Sequence, residues 1–475
     1  MRAFAARRLL LVAVISVGVG CSSGGGAGAK GGAGGTVGGT AGASGGSGGS
    51  GTAGSGGTGG SGGTAGSGGT AGSGGSVASK RPWPDSTAQT RVLADQLPNG
   101  LTAGQRQFVV THMVGTQKLT LAESQPLRAL APNFLVLHYH LAIWQSAPAV
   151  TFIIDGTSWG NDYPTVTTHE DWFWHNAAGM RVAATDDGKL LMNLGSQAFI
   201  DYWKQSFVAQ AMASDADGVF ADSASPDLLQ WEAQSPAEPR LAGTGARDTA
   251  IPELGGRTYI AAWQDFMMQM NTALADAGLA LLPNTGSFTT SWDTTNYALT
   301  AGVFIEGFAD TSWVVADWKR STNQVLALAA AHKIIIAQNY LSSASDVATR
   351  LYYLANYLLV RGDRTYIDYF AGGPLEWYPE WSVDVGAPVT TAATVDGLAQ
   401  TGAAAGAYQR EFAAGWAVVN PGDSPVTLSF PTGARQVVPS GGGAIDAAGD
   451  TPGTVGTSAA TTLTLAAHSG AVVLK

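Results

Sequence analysis

The feature that most constrains the fold is a short apolar segment that ends in a carboxylate and occurs twice. Residues 218–222 (GVFAD) and 302–306 (GVFIE) share a pattern of one glycine, three apolar residues and an acid. Successive side chains of a strand point to opposite faces, so Phe220 shares a face with Asp222, as Phe304 does with Glu306. The pattern predicts two strands of one barrel, each with an inward acid above an inward phenylalanine.

Between residues 81 and 370, short apolar runs alternate with longer helix-like segments, which is typical of βα repeats. We therefore predict an α/β protein with a (β/α)8 TIM barrel. Ala149–Asp187 is predicted to be a long excursion between the second and third strands. The predicted strands are residues 107–112, 133–140, 189–193, 217–222, 279–284, 302–306, 333–338 and 365–370, with helices over 197–212, 258–277 and 348–361.

Residues 1–21 are predicted to be a signal peptide. A basic start precedes an apolar stretch, residues 9–20, that is too short to cross a membrane as a mature helix. The stretch ends at Cys21, the only cysteine of the chain. This arrangement resembles a bacterial lipoprotein signal, in which the cysteine is lipidated; an ordinary secretory signal is the alternative. We expect an exported protein, lipid-anchored to the cell envelope at the outer membrane or cell surface.

Three further regions follow the signal peptide. Residues 22–80 are predicted to be a disordered linker, because Gly, Ser, Thr and Ala bury too little apolar surface to offset the entropy cost of ordering. Residues 81–400 are assigned to the barrel. Residues 401–475 contain short alternating runs split by turn residues, which predicts a small antiparallel β-sandwich. The net charge of −10 argues against nucleic acid as a partner.

Two predicted strand ends carry the acids that glycoside hydrolysis requires. The catalytic face of a (β/α)8 barrel is the C-terminal one, and glycosidases place two carboxyl groups beside the scissile bond. We predict Asp222 as the nucleophile or base and Glu306 as the acid. Asp310, on the following loop, competes with Glu306 for the acid role. The alternative is that both carboxylates only complete hydrogen-bond networks.

The other polar strand ends and several tryptophans are expected to bind a carbohydrate substrate. Polar side chains there can bind sugar hydroxyls, and indole rings can stack on the apolar face of a pyranose, although core packing is the alternative for each tryptophan. The predicted substrate-binding residues are His138, His140, Asn193, Asn284, Asp310, Trp159, Trp313, Asp368 and Trp377.

A metal-dependent hydrolase built on His112, His138 and His140 is one alternative function. His138 and His140 share one face of a predicted strand and could ligate a metal ion. This spacing resembles the metal sites of amidohydrolase barrels, which need further histidines on strands five and six, but Asn284 and Glu306 stand there. Without them a metal site is incomplete. We therefore predict no metal ion and no cofactor. A non-catalytic barrel that binds glycans is the other alternative.

A family resemblance is carried by five blocks: residues 108–118 (FVVTHMVGTQK), 134–139 (FLVLHY), 217–223 (DGVFADS), 377–380 (WYPE) with 386–388 (GAP), and 408–421 (YQREFAAGWAVVNP). Through them the chain resembles, from about Arg91 to its C-terminus, hypothetical glycosyl hydrolase family 15. The resemblance implies a barrel that cleaves glycosidic bonds of poly- or oligosaccharides. More distantly, acids on strands four and six resemble retaining α-galactosidase-type barrels, which would make Asp222 the nucleophile. The second acid here is Glu306 rather than an aspartate.

Overall fold

Eight parallel strands form a barrel in the computed structural model of the protein. The structure describes residues 80–146, 153–154, 157–158, 162–185, 188–227, 229, 234–235, 237–373 and 375–475. The barrel strands are β1 (Val92–Gln96), β2 (Met113–Gln117), β3 (Leu135–Leu141), β4 (Gly218–Asp222), β5 (Ala280–Pro283), β6 (Gly302–Glu306), β7 (Ile334–Tyr340) and β8 (Thr365–Phe370).

Strands that follow one another in the chain pair in the sheet, except β5 with β6, and β8 pairs with β1. The seam between β5 and β6 is held by a parallel bridge between Asn284 and Phe304. There the backbone N–H of Thr285 donates to the carbonyl of Phe304 at 2.9 Å. The predicted (β/α)8 architecture is confirmed.

The barrel interior is filled by apolar side chains from alternate positions of the strands. The rings of Phe220 and Phe304 meet edge to face, with centroids 4.5 Å apart. Tyr139 and Tyr366 belong to the same buried cluster. Because a strand repeats every two residues, the acids that follow the two phenylalanines also point inward, one layer nearer the C-terminal mouth. The predicted orientation of both strands is confirmed.

Six helices of ten residues or more surround the barrel in the part of the chain that the structure describes. They are α1 (Ala103–His112), α2 (Leu121–Leu130), α3 (Gln197–Ala213), α4 (Tyr259–Asp276), α5 (Val315–Ala330) and α6 (Val347–Val360). The predicted helices over 197–212, 258–277 and 348–361 correspond to α3, α4 and α6. Two short helices, Tyr163–Val166 and Thr244–Asp248, lie in the loops.

The strand predicted over residues 107–112 is wrong, because these residues form the second half of α1. Thr102 and Gln105 make a capping box: Thr102 Oγ1 accepts from the N–H of Gln105, and Gln105 Oε1 accepts from the N–H of Thr102. This cap starts a helix despite the β-branched residues that follow. Strand β2 begins directly after α1, so one apolar run serves both elements. The first barrel strand, β1, has no counterpart among the predicted strands.

The strand predicted over residues 189–193 is also wrong as a barrel strand. Only Leu190–Leu191 is extended, and it pairs antiparallel with Trp144–Gln145 and Ala183–Ala184 in a small four-stranded sheet. The sheet also contains Gln234–Ser235. This sheet is separate from the eight-stranded sheet of the barrel.

The C-terminal region forms two antiparallel sheets, as predicted for a β-sandwich. Its strands are β9 (Tyr408–Phe412), β10 (Gly415–Asn420), β11 (Val426–Ser429), β12 (Arg435–Gly441), β13 (Gly453–Ala459), β14 (Thr462–Leu465) and β15 (Ser469–Leu474). Five strands follow the order β9-β10-β15-β12-β13, and β11 pairs with β14. Val418 and Val473 of one sheet share a buried cluster with Leu428 and Leu465 of the other. β15 packs closely on α6. The backbone of Gly470 lies so near the helix that a side chain added there would contact Ala355.

Several predictions concern residues outside those described. These are the signal peptide of residues 1–21 with Cys21, nearly all of the linker of residues 22–80, and Trp159. The barrel and sandwich limits, residues 81–400 and 401–475, remain predictions. In the part of the chain that the structure describes, no helix is long and apolar enough to cross a membrane.

Candidate active site

The two predicted catalytic acids are held together by one amide. Asn284, which directly follows β5, lies between Asp222 at the end of β4 and Glu306 at the end of β6. Its Nδ2 donates to Asp222 Oδ1 at 2.9 Å and to Glu306 Oε2 at 2.7 Å. An amide nitrogen has two N–H bonds that diverge by about 120°, so the two carboxylate oxygens lie roughly 5 Å apart. Asn284 was predicted to bind substrate; the structure places it between the two acids.

Asp222 accepts hydrogen bonds at both carboxylate oxygens. The hydroxyl of Tyr139 donates to Oδ2 at 2.6 Å, and the N–H of Ser223 donates to Oδ1 at 2.7 Å. Burial by itself would raise the pKa of Asp222. The positive charge of Lys189, the bonds from Tyr139 and Asn284 and the charge of Lys118 outweigh burial and lower that pKa. Asp222 is therefore an ionised carboxylate.

Glu306 has a second donor besides Asn284. The hydroxyl of Tyr340, at the end of β7, donates to Glu306 Oε1 at 2.7 Å. Burial, followed by the charges of Glu306 and Asp95, raises the pKa of Tyr340 well above its usual value. Tyr340 thus remains a neutral hydrogen-bond donor across the working range of an enzyme.

A lysine–aspartate pair lies at the C-terminal ends of β1 and β2, and sequence reasoning did not identify it. Lys118 Nζ lies 3.2 Å and 3.3 Å from the two carboxylate oxygens of Asp95. The same ammonium group is 5.6 Å from the ring centroid of Tyr139 and 5.5 Å from that of Phe220. Lys118 has a positive φ of 64°, which is uncommon for a residue with a side chain and is concentrated at functional sites.

The segment of residues 189–193, which was wrongly predicted to be a barrel strand, contains one residue that reaches the mouth. Lys189 is buried, and its Nζ lies 3.4 Å from Ser223 Oγ, next to the carboxylate of Asp222.

Asn193, predicted to bind substrate, instead closes a local turn. Its Nδ2 donates to the carbonyl of Asp171 at 3.1 Å, and its Oδ1 accepts from Gly195 at 2.9 Å.

Asp368, another predicted substrate ligand, points into the barrel from β8. Its Oδ2 accepts from the backbone N–H of Asp95 at 2.7 Å. Burial is the largest effect on the pKa of Asp368, and together with the charges of Asp95 and Glu376 it raises that pKa well above the usual value. Asp368 is therefore bonded to the backbone of Asp95, in surroundings that favour the neutral form of its carboxyl group.

His138 and His140, which were predicted to bind substrate, point away from the barrel interior toward α3. His140 Nε2 lies 2.9 Å from Asp162 Oδ2, and its ring packs against Phe207. His138 Nε2 lies 3.2 Å from Gln210 Oε1. Burial, followed by the charge of His140, lowers the pKa of His138 to about 4. The intervening residue, Tyr139, is the one that faces the mouth, so the predicted location of both histidines is corrected.

The three histidines of the metal alternative are not brought together. His112 ends α1, stacks on Phe108 with centroids 3.9 Å apart and meets the edge of Trp377. Within the described ranges, no group of three or more His, Cys, Asp or Glu side chains is placed to hold a metal ion. The geometry that this alternative requires is therefore not present at the barrel mouth.

Three further residues were predicted to bind substrate: Trp313, Trp377 and Asp310. Trp313 and Trp377 are both buried, and Trp377 packs against Phe108 and Trp381. Asp310 Oδ1 accepts from the N–H and hydroxyl of Ser312 at 2.7 Å and 2.6 Å. Asp310 is thus engaged in its own turn, whereas Glu306 is bound to the residue that also binds Asp222.

Comparisons with known proteins give one family match. The family described as hypothetical glycosyl hydrolase family 15 matches residues 128–416. No curated protein sequence matches the chain.

Three solved structures illustrate the remote structural similarity. A noncanonic maltogenic alpha-amylase from Thermotoga neapolitana has 9% identity and a TM-score of 0.39, covering 81% of this chain and 98% of that one. A cycloalternan-degrading enzyme from Trueperella pyogenes, in complex with a covalent intermediate, has 10% identity and a TM-score of 0.41, covering 81% and 59%. A cycloisomaltooligosaccharide glucanotransferase from Paenibacillus sp. has 11% identity and a TM-score of 0.35, covering 81% and 55%.

The present chain thus spans little more than half the length of the last two enzymes. The family match covers more than half of this chain, and Asp222, Asn284 and Glu306 all lie inside it. The chain belongs to hypothetical glycosyl hydrolase family 15.

Proposed function

We propose that the protein is a retaining glycoside hydrolase in which Asp222 is the nucleophile and Glu306 the acid/base residue. The observation that carries this proposal is the bridge through Asn284, whose amide nitrogen donates to one oxygen of each carboxylate. With ideal amide geometry, these two oxygens lie roughly 5 Å apart. Retaining enzymes hold their carboxyl groups at ~5–5.5 Å, whereas inverting enzymes need ~6.5–9.5 Å to fit a water molecule.

The proposed reaction has two steps. In the first, Glu306 donates a proton to the glycosidic oxygen while Asp222 attacks the anomeric carbon, so the leaving group departs as an alcohol and a glycosyl–Asp222 ester forms. In the second, Glu306 takes a proton from water, and the resulting attack on the anomeric carbon releases the sugar and frees Asp222.

The surroundings of each acid support its assigned role. Lys189 and the Tyr139 hydroxyl favour the ionised form of Asp222, as a nucleophile requires. Glu306 is bound by neutral donors, Asn284 and Tyr340, and no positively charged side chain is hydrogen-bonded to it among the described residues. We expect the Asp95–Lys118 pair to bind hydroxyl groups of the sugar held between the acids.

We propose further that the enzyme acts outside the cell while tethered to the envelope. Cys21 would carry the lipid, and residues 22–80 would act as a flexible tether with a reach on the order of 40 Å. The substrates would then be extracellular poly- or oligosaccharides. Globomycin, which blocks lipoprotein signal cleavage, and a Cys21→Ser variant test this part: both should leave the signal uncleaved, so that the protein keeps the mass of the precursor. Unchanged cleavage in both would indicate an ordinary secretory signal and contradict the lipid anchor.

The catalytic proposal is tested with paired leaving groups. The wild type and the variants Asp222→Asn, Glu306→Gln and Asp310→Asn are assayed on dinitrophenyl glycosides and on unactivated glycosides. Asp222→Asn should lose ~10³-fold or more on both classes, because the nucleophile is needed for each. Glu306→Gln should lose that much kcat/KM only on unactivated substrates, because dinitrophenolate leaves without protonation. Its kcat should fall on both classes, because Glu306 is also the base of the second step. Asp310→Asn is the matched control and should retain activity.

Two results would overturn the proposal. A 2-deoxy-2-fluoro glycosyl fluoride of the preferred sugar should label the peptide that contains Asp222, as seen by mass spectrometry; labelling elsewhere would reassign the nucleophile. Equal glycan binding by all four proteins with no turnover would instead support the non-catalytic glycan-binding barrel.

A further inference from the structure

Gln338 lies in the same layer of inward side chains as Glu306. It belongs to β7, on which Ile334 and Ile336 are members of the buried cluster that fills the barrel. Because side chains alternate along a strand, Gln338 and Tyr340 point to the interior as well. The strand register pairs Gln338 with Glu306 on β6. A polar side chain therefore stands directly beside the proposed acid/base residue.

A second carboxyl group stands on the other side of Gln338. The register pairs Gln338 with Asp368 on β8, and Asp368 Oδ2 accepts from the backbone N–H of Asp95 at 2.7 Å. Neighbouring strands lie about 4.8 Å apart, so the side chain of Gln338 is between those of Glu306 and Asp368. The neutral form of Asp368, which burial favours, has a hydrogen to donate.

The amide group of Gln338 is buried. The residue is 1% exposed, and neither Nε2 nor Oε1 makes a hydrogen bond of normal geometry to any described residue. Burial raises the pKa of Tyr340, and Gln338 opposes that rise, which indicates that the amide N–H faces the hydroxyl oxygen. A buried amide costs free energy unless its polar atoms have partners, so its place beside a reacting group requires a function.

We propose that Gln338 is a positioning residue for Glu306. Its amide nitrogen donates to the hydroxyl oxygen of Tyr340, and its amide oxygen accepts from the carboxyl group of Asp368. The hydrogen of the Tyr340 hydroxyl is then left for Glu306 Oε1, to which it donates at 2.7 Å. A hydroxyl can turn toward several acceptors, whereas the two ends of an amide have fixed roles. Gln338 thereby gives the chain of bonds one direction, toward Glu306.

The expected effect is on proton transfer, and the inference rests on the proposed role of Glu306. Asn284 holds Glu306 Oε2 and Tyr340 holds Oε1, so two bonds together fix the plane of the carboxyl group. Without Gln338 the hydroxyl of Tyr340 can turn away, and one of these two restraints weakens. A general acid must lie within hydrogen-bond reach of the atom it protonates. Loss of Gln338 should therefore slow the step that needs a proton.

The test compares two classes of leaving group. Gln338→Met removes both polar atoms at a similar side-chain length. Its kcat/KM should fall by about tenfold on unactivated glycosides, as for one lost hydrogen bond, and by less than about twofold on dinitrophenyl glycosides, whose leaving group needs no proton. A purely structural role would lower both values equally. Gln409→Met, in β9 of the sandwich, is the matched control and should leave both unchanged.

Further variants separate this inference from the proposed function. Added to Glu306→Gln, Gln338→Met should cause no further loss on unactivated substrates, because the group that it positions is already absent. Tyr340→Phe breaks the same chain and should show the same selective loss, which keeps the test decisive if Gln338→Met folds poorly.

Two outcomes would contradict the inference. If kcat/KM of Glu306→Gln falls equally on both classes, the proposed role of Glu306 is wrong, and the positioning role of Gln338 is wrong with it. If Glu306→Gln is selective but Gln338→Met and Tyr340→Phe are not, only the positioning role is overturned.

Discussion

Tyr139 donates its hydroxyl to Asp222 Oδ2 at 2.6 Å, from the strand next to the one that carries the carboxylate. The bond favours the ionised form of Asp222, so Tyr139→Phe should raise the pKa of Asp222. We expect kcat/KM to fall by about tenfold or more, consistent with a lost bond to a charged group, and its acid limb to move to higher pH.

Tyr366→Phe is the matched control for this change. Tyr366 lies in the same barrel core, but its hydroxyl donates to the carbonyl of Pro84 at 2.8 Å, away from the mouth. Its pH profile should match the wild type. An unchanged acid limb in Tyr139→Phe would show that Asp222 does not control that limb.

Removal of the Lys118 charge should weaken substrate binding. In Lys118→Met, Asp95 loses its counter-ion, and the pKa of Asp222 rises because Lys118 helps to lower it. We expect KM to rise by about tenfold, with a smaller loss of kcat, if the pair binds sugar hydroxyls. Lys319→Met, which breaks an exposed ion pair with Asp396, should leave both constants unchanged. A fall in kcat at constant KM would contradict a role in substrate binding.

Asp368→Asn should change how the free energy of unfolding depends on pH. The folded state raises the pKa of Asp368, so above pH ~4 the folded protein retains a proton that the unfolded chain has lost. The wild-type free energy of unfolding should therefore fall as pH rises, by up to ~1.4 kcal/mol per pH unit from this residue. The neutral asparagine removes this contribution.

Urea unfolding of both proteins at pH 4.5 and pH 7 checks this prediction. Relative to the wild type, Asp368→Asn should gain stability at the higher pH. If the free energies of unfolding of the two proteins change equally between pH 4.5 and pH 7, Asp368 is ionised in the folded protein.

The buried ion pair of Arg350 and Glu380 should be sensitive to loss of one partner. Arg350 Nε donates to Glu380 Oε1 at 2.7 Å and its Nη2 to Oε2 at 2.5 Å, and neither side chain is exposed. Arg350 Nη1 also donates to the carbonyl of Gly441 in β12 at 2.7 Å, so the pair links α6 to the sandwich. Glu380→Gln should cost about 3–5 kcal/mol, because a buried guanidinium loses its counter-ion.

The double variant Arg350→Met/Glu380→Leu provides the control in chemical denaturation. It removes both charges and should cost less than Glu380→Gln alone. Glu411→Gln, which breaks a partly exposed pair with Lys475, should cost about 1 kcal/mol or less. If the double variant is less stable than Glu380→Gln, the ion pair contributes more free energy to folding than the burial of its two charges costs.

Local sequence pattern determined the barrel strands wherever one apolar run belonged to one element. Residues 302–306 and 365–370 are the observed strands, and the helix of residues 197–212 differs by one residue. The pattern failed around residue 110, where a capped helix runs directly into β2. A helix and a strand that share one apolar run cannot be separated by hydrophobicity alone.

The sequence by itself determined the βα repeat, the sandwich and the strand-end position of Asp222 and Glu306, because apolar spacing and strand-end position are local properties of the chain. Only the tertiary structure decided which face of β3 is inward. The two-residue repeat of a strand predicts that His138 and His140 share a face. Packing of that face against α3 places Tyr139, not the histidines, beside Asp222. Lys118 and Lys189 reach the same carboxylate from distant parts of the chain. Such convergence depends on how the barrel closes, which no local pattern contains.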